Sequence, residues 1–229
     1  MEKLIEKTAI DIGSAMIENG AEINRVEDTI ERILRSKGIE NANIFCISSM
    51  IIISTDTTVE VKRIRRNDLN LFVIDELNAK SRAICGNYEY IEKSNHYPII
   101  IKLLSIILAT GSFCIYFGGN LYDALLSGLI GIIITYKKSI IKGEFSHTLC
   151  DSAIAGILSY IPSLFTAATH PDKIMIGTIM LLIPGLTIGN AMRDIMNSDI
   201  LSGIIELISA IFTALAIALG FAVAVVIFR

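Results

Sequence analysis

Charge is spread so unevenly along this chain that no single water-soluble fold accommodates it. Residues 1–97 carry 29 Asp, Glu, Lys and Arg side chains, and residues 98–229 carry 14. The second stretch is dominated by apolar runs. A helix needs about 20 apolar residues to cross the hydrocarbon of a bilayer. The chain therefore divides into a charged α+β head, residues 1–97, and an α-helical transmembrane domain, residues 98–229, which makes it an α-helical membrane protein.

Five spans are predicted: Ile99–Phe117, Leu121–Tyr136, Thr148–Ala168, Ile174–Gly189 and Ile200–Phe228. The second is short and the fifth is long enough to tilt. The fourth is interrupted by Pro184-Gly185. A buried helix of a soluble protein would carry a polar face at 3.6-residue spacing, and these segments lack one. Positive residues set orientation. The head holds 13 Lys and Arg, and Lys137, Lys138 and Lys142 follow the second span. Residues 118–120 hold none, and only Lys173 follows the third span. That alternation puts the N-terminus in the cytoplasm of a multi-pass cell-membrane protein, with Arg229 outside. The N-terminal twenty residues are acidic and amphipathic, without the continuous apolar core of a signal peptide.

In the head, Leu4, Ile5, Ala9, Ile12, Ala15 and Met16 recur at helical spacing, and Asn19-Gly20 marks a stop. A second helix runs through Val26, Ile30, Ile33 and Leu34 to Lys37-Gly38. Residues 43–54 and 58–66, separated by Asp56-Thr57, predict a β-hairpin. Residues 69–84 return to helical spacing, and residues 88–97 are expected to continue helically into the first span. The predicted order is ααββαα.

Several function classes are excluded. A net charge of −3 speaks against a nucleic-acid binder. The four cysteines are scattered without a CxxC pair, and His96, His147 and His170 are isolated beside the spans. No metal and no cofactor is expected. Neither GxGxxG nor GxxxxGK[ST] occurs, and HExxH, GxGD and a serine-nucleophile motif are absent. The chain is not expected to be an enzyme.

Three strings point to a family. They are Gly20-Ala21-Glu22-Ile23-Asn24-Arg25-Val26-Glu27-Asp28-Thr29-Ile30; Asn70-Leu71 through Asp75-Glu76-Leu77-Asn78 to Ser81-Arg82; and Ile183-Pro184-Gly185-Leu186 through Asn190-Ala191-Met192-Arg193-Asp194 to Ser202-Gly203. Together with the head-plus-five-span layout they resemble the N-terminal half of the threonine/serine exporter family. The resemblance implies secondary transport. Because the second membrane half is missing, it also implies a split exporter, in which a second small membrane subunit completes the unit. One split pair of the family is associated with succinate export, so the implied substrate is a small amino acid or a dicarboxylate.

Ionisable residues inside spans are costly and default to functional candidates. Glu206, about 9 Å along the fifth span at ~1.5 Å per residue, and Asp151, one turn into the third, are the proton-coupling candidates. Asp123, at the outer end of the second span, is expected to be structural. The break at Pro184-Gly185 frees backbone groups, which are tolerated at membrane depth only beside protein or water. Discontinuous helices of this kind form substrate sites in transporters. Pro184, Gly185, Thr187 and Asn190 are therefore the substrate-binding candidates, the alternative being a proline kink that only packs helices. Arg25, Glu27 and Asp28 are candidates for docking the head or for a cytoplasmic gate. Recurrent small residues (Ser127-Gly128, Gly131, Ser152, Gly156, Ala214, Ala218, Gly220) suit close helix approach or a homo-oligomer. The rival function is a regulatory or scaffolding membrane subunit that does not itself transport.

Overall fold

The computed structural model describes residues 2–65, 69–90, 97–137, 143–166 and 168–228. The apolar periodicity of the head becomes two helices, α1 (Glu2–Glu18) and α2 (Ile23–Ser36). In α2 the buried positions Ile23, Val26, Ile30, Ile33 and Leu34 form the stripe that a 3.6-residue period requires. Three strands follow: β1 (Asn43–Ile47), β2 (Met50–Ser54) and β3 (Val59–Arg63). They form an antiparallel meander in the order β1-β2-β3. Helix α3 (Leu71–Gly86) begins at Asn70, whose side chain accepts the Val73 N–H at 3.3 Å. It ends where Asn87 turns left-handed, at φ 52°.

The meander corrects the predicted hairpin. Residues 43–54 are two strands, folded back at Ser48-Ser49 so that Ile47 faces Met50. A single strand of that run would be about twice the usual five to six residues. The turn at Asp56-Thr57 is as predicted, closed by Thr55 N–H on the Thr58 carbonyl at 2.9 Å. Residues 88–90 are not helical. The rest of the predicted continuation, residues 91–96, lies outside the described residues.

Beyond the head come α4 (Ile99–Tyr116), α5 (Leu121–Tyr136), α6 (Glu144–Tyr160) with a 3-10 turn (Ile161–Leu164), α7 (Pro171–Ile179), α8 (Gly185–Met196) and α9 (Ile200–Phe228). Among the described residues, α4 and α9 are long and apolar enough to cross a membrane, with mean hydropathy 2.1 and 2.8. Helix α5 is apolar but shorter, at 16 residues. The predicted third span starts four residues earlier than expected, and its α-helix ends at Tyr160, just before Pro162. The predicted fourth span is two helices, α7 and α8, with residues 180–184 between them.

Contacts group these elements into two units. The first contains α1 to α3, the sheet, α8 and the start of α9 through Ile208. Its core joins Met16 and Ile17 of α1, the α2 stripe, and Cys46, Ile51 and Ile53 from one face of the sheet. The second contains α4 to α7 and α9 from Ser209 onward. Here the close contacts run through small residues. The Ser152 hydroxyl donates to the Thr148 carbonyl at 2.8 Å and lies 3.3 Å from the Ala216 carbonyl of α9. Ser127 of α5 and Thr178 of α7 bring their hydroxyls within 3.4 Å.

Candidate functional site

The Gly20 turn is the point where the family-like strings meet. Helix α1 ends because Gly20 takes φ +86°, a left-handed conformation in which a side chain would be strained. A Cβ there would also lie 2.6 Å from Leu69 Cδ1. The turn leaves the Gly20 carbonyl available, and Asn190 of α8 donates its amide to it at 3.1 Å. One turn further along α8, Arg193 forms an ion pair with Glu22. The turn is also tied to the second string, through Asn70 N–H on the Asn19 carbonyl at 3.1 Å. Residues separated by 170 positions in sequence thus hold α8 against the turn between α1 and α2.

Helix α8 opens immediately after Pro184. The Ile179 carbonyl at the end of α7 accepts both Leu182 N–H at 2.8 Å and Ile183 N–H at 3.1 Å. Proline has no N–H to continue that ladder, and the helix restarts at Gly185. Of the four predicted substrate residues, Gly185 is exposed and Pro184 and Thr187 are half-buried. Asn190 is committed to the Gly20 carbonyl. Helix α8 returns into α9 through Asn197-Ser198, with Ser198 at φ 72° and Asp199 N–H on the Asp194 carbonyl at 2.8 Å. The two helices approach closely, since a Cβ on Gly203 would lie 2.7 Å from the Ala191 carbonyl.

Four acids accompany this framework. Asp194 and Glu206 are both buried, the former wholly. Glu27 is half-buried and accepts the Cys46 N–H at 2.7 Å. Burial pushes its carboxyl above the ordinary range; the Cys46 N–H opposes that, and the charges of Asp199 and Asp28 add to it. Asp199 is likewise raised by burial, against a hydrogen bond from Ser202. Burial, with the nearby Glu27 carboxylate, holds the Cys46 thiol far above its usual value. Arg25 and Asp28 are exposed. The predicted docking trio is therefore divided: Glu27 faces β1, and the other two face outward. Beside the Asn190–Gly20 bond, α8 is fastened by Glu22 and Arg193, which the sequence reading did not single out as site residues.

The remaining ionisable candidates lie in the second unit. Asp151 is buried and forms an ion pair with Lys137 at the end of α5, with His147 Nδ1 at 3.4 Å. Asp123 closes a capping box with Asn120 and accepts His170 N–H at 3.0 Å, with His170 Nδ1 at 2.9 Å. It ties the start of α5 to the start of α7. Two of the histidines read from sequence as isolated thus sit on carboxylates. Asp151 and Glu206 fall in different units.

The head also contains a cavity of about 240 Å³ lined by Glu6, Glu40, Asn41, Thr55, Asp56 and Thr57 among others. Its buried carboxylate, Glu6, is satisfied by the Thr55 and Thr58 hydroxyls at 2.8 and 2.7 Å. No group of three metal-ligating side chains occurs among the described residues.

The chain is mostly helical, with one small three-stranded sheet and, among the described residues, two helices, α4 and α9, long and apolar enough to cross a membrane. A family model described as "Putative threonine/serine exporter" matches residues 7–228, and the chain belongs to this threonine/serine exporter family. It is 21% identical to the "Probable succinate transporter subunit YjjP" of Escherichia coli, over 99% of this chain and 95% of that protein. It is 22% identical to the protein of the same name from Klebsiella aerogenes, over 96% and 92%. No solved structure matches.

Proposed function

We propose that this chain is one subunit of a two-component secondary exporter of a small polar metabolite, completed by a second small membrane subunit. The family match over residues 7–228 carries this reading. The relatives' names, which specify a transporter subunit, support the two-component arrangement and make succinate or another dicarboxylate the first substrate to try. The family description keeps threonine and serine as the second. Transport rather than catalysis is the activity consistent with this kinship.

In this reading α4, α5, α6, the α7–α8 pair and α9 are the five spans, with the head cytoplasmic. The interruption between Ile179 and Gly185 supports a substrate site there, built from Pro184, Gly185 and Thr187. Asn190 and Arg193 would steady it from the Gly20 turn. Maleimide labelling from outside intact cells at engineered cysteines 119 and 171, and not at 140, checks the orientation. Outside labelling of 140 rejects it.

Glu206, buried on the second turn of α9, is the proposed proton carrier. Asp151, already neutralised by Lys137, is the weaker candidate. The test is pH-gradient-driven efflux from proteoliposomes holding the chain and its partner subunit. Glu206→Gln should abolish uphill efflux while sparing substrate exchange at equal pH, and Asp151→Asn should have the smaller effect. Wild-type efflux by Glu206→Gln removes Glu206 from the mechanism. Full efflux by the partner alone makes this chain the regulatory subunit instead.

A further inference from the structure

The three-stranded sheet has one closed edge and one open edge. On the β1 side, α2 covers the edge and Glu27 occupies the outward Cys46 N–H at 2.7 Å. On the β3 side, among the described residues, β3 packs chiefly on β2 and on α1. The register fixes which backbone groups are left over. Thr55 N–H bonds to the Thr58 carbonyl at 2.9 Å and Ile64 N–H to the Ser49 carbonyl at 2.8 Å, so the pairs Ile53–Glu60 and Ile51–Lys62 are the hydrogen-bonded ones between β2 and β3. The N–H and C=O groups of Val59, Val61 and Arg63 therefore turn outward. On the outer face Phe45, Ile52 and Val61 stand in one cross-strand row, and Val59 and Val61 remain 64% and 58% exposed.

Unpaired edges usually carry features that prevent pairing, such as a proline or inward-pointing charges. Here the inward positions of β3 are Glu60 and Lys62, one of each sign. Two antiparallel copies of β3 with Val61 opposite Val61 place Glu60 opposite Lys62 twice. These fall at non-hydrogen-bonded positions, where side chains are closest. Sliding by two residues places Glu60 opposite Glu60, or Lys62 opposite Lys62. Beyond the strand, Arg63 and Arg65 of one copy run beside the Asp56 turn of the other. Lys62 also pairs with Asp11 of α1 at 2.5 Å, and of these three registers the one centred on Val61 is the one that faces opposite charges.

We propose that β3 pairs with β3 of a second copy of this chain, antiparallel with Val61 on the two-fold axis, to form a six-stranded sheet. The row Phe45–Ile52–Val61 then continues across the axis into its own image. Five residues of strand are small beside the ~800 Å² per partner of a stable interface. Anchorage of both copies in one bilayer raises their effective concentration and supplies the remaining drive.

The test uses the full chain in native membranes, with Cys85 and Cys150 replaced by serine and the buried Cys46 and Cys114 retained. Val61→Cys should form a dimer under mild oxidation, because facing Cα atoms in such a pair lie about 5.5 Å apart, within disulfide reach. Val59→Cys should not, since it faces Arg63 of the other copy. In the Val61→Cys background, Glu60→Lys alone or Lys62→Glu alone should lower dimer yield about tenfold by facing like charges. Co-expressing the two should restore cross-linking between them, as each then meets its opposite. Equal cross-linking at 59 and 61, no cross-linking at 61, or a product between Val61→Cys and a protein of different mass would overturn the proposal.

Discussion

The two units bury opposite kinds of residue. In the first unit the largest wholly buried side chains include Met16, Ile17, Ile23, Ile30, Ile33, Leu34, Ile51 and Ile53. In the second, the buried positions are mainly small: Ala155, Ala216, Ala224, Ser127, Ser152, Ser159 and Thr178. Many of its large apolar side chains face outward, with Leu108 at 66% exposure and Phe212 at 56%, and its buried isoleucines form only a small cluster around Ile130, Ile134 and Ile174. In water, burying an isoleucine is worth roughly 1.5–3 kcal/mol, so large side chains go inside. In lipid the surroundings are as apolar as leucine, and association relies on close backbone approach and hydroxyl bonds. In the proposed reading, solvent rather than helix content is what separates the two regions.

If that contrast holds, truncation should have opposite consequences in the two places. Ile30→Ala removes a wholly buried side chain from the head core and should cost about 3 kcal/mol. Leu108→Ala removes an outward-facing one and should cost almost nothing. The two buried thiols report locally, Cys46 in the head and Cys114 in the other unit. With Cys85 and Cys150 replaced by serine, Ile30→Ala should speed maleimide labelling of Cys46 about 100-fold through opening of the head. Cys114 should be unaffected. Comparable acceleration of Cys114 by Leu108→Ala would break the comparison.

Much of this contrast was legible in the sequence. The 3.6-residue stripe of α2 named a core, and Asp56-Thr57 marked a real turn. The turn at Ser48-Ser49 was not seen, because two serines inside NIFCISSMIIIS lack the Asn-Gly chemistry that signals a tight hairpin. The break at Pro184-Gly185 was visible because proline removes a donor. Its consequence was not: α8 groups with the head elements, through Asn190 on Gly20 and Arg193 on Glu22. Both halves of that connection stood in the strings that revealed the family. A partner 171 positions away leaves no periodicity to read. The pairing of Asp123 with His170, and of Asp151 with Lys137, was hidden for the same reason, whereas His147 and Asp151, four apart on one helix, stood at a spacing that places them side by side.

The second unit offers a test of intermediate size. A Cβ on Gly220 would lie 2.5 Å from the Leu149 carbonyl and 2.8 Å from the Ala153 nitrogen, both backbone atoms that cannot step aside. A single methyl should therefore push α6 and α9 apart, at a cost of about 1–3 kcal/mol. Gly220→Ala should speed Cys114 labelling roughly tenfold, corresponding to about 1.4 kcal/mol within that range, with Cys46 unchanged. If Gly220→Ala labels like the wild type, small residues are not what holds this unit together.

The smallest effect sharpens the comparison from the head side, where charge is buried against polar backbone. The carboxyl of Glu27 lies above its ordinary 4.5 because burial outweighs its hydrogen bond from Cys46. The folded head therefore holds this proton more tightly than the unfolded chain does. Its contribution is fully present below the unfolded pKa and is lost as pH rises through the raised folded value. Glu27→Gln keeps an acceptor for the Cys46 N–H and removes the titration. The ratio of wild-type to Glu27→Gln labelling at Cys46 should accordingly rise as pH climbs from 4.5 through that window, then level off. The ratio cancels the intrinsic pH dependence of the thiol reaction in the opened state. Asp199, raised by its own burial, should leave a residual pH dependence in the variant. Parallel labelling profiles for the two proteins across that range would mean that the Glu27 carboxylate is ionised in the folded head without penalty.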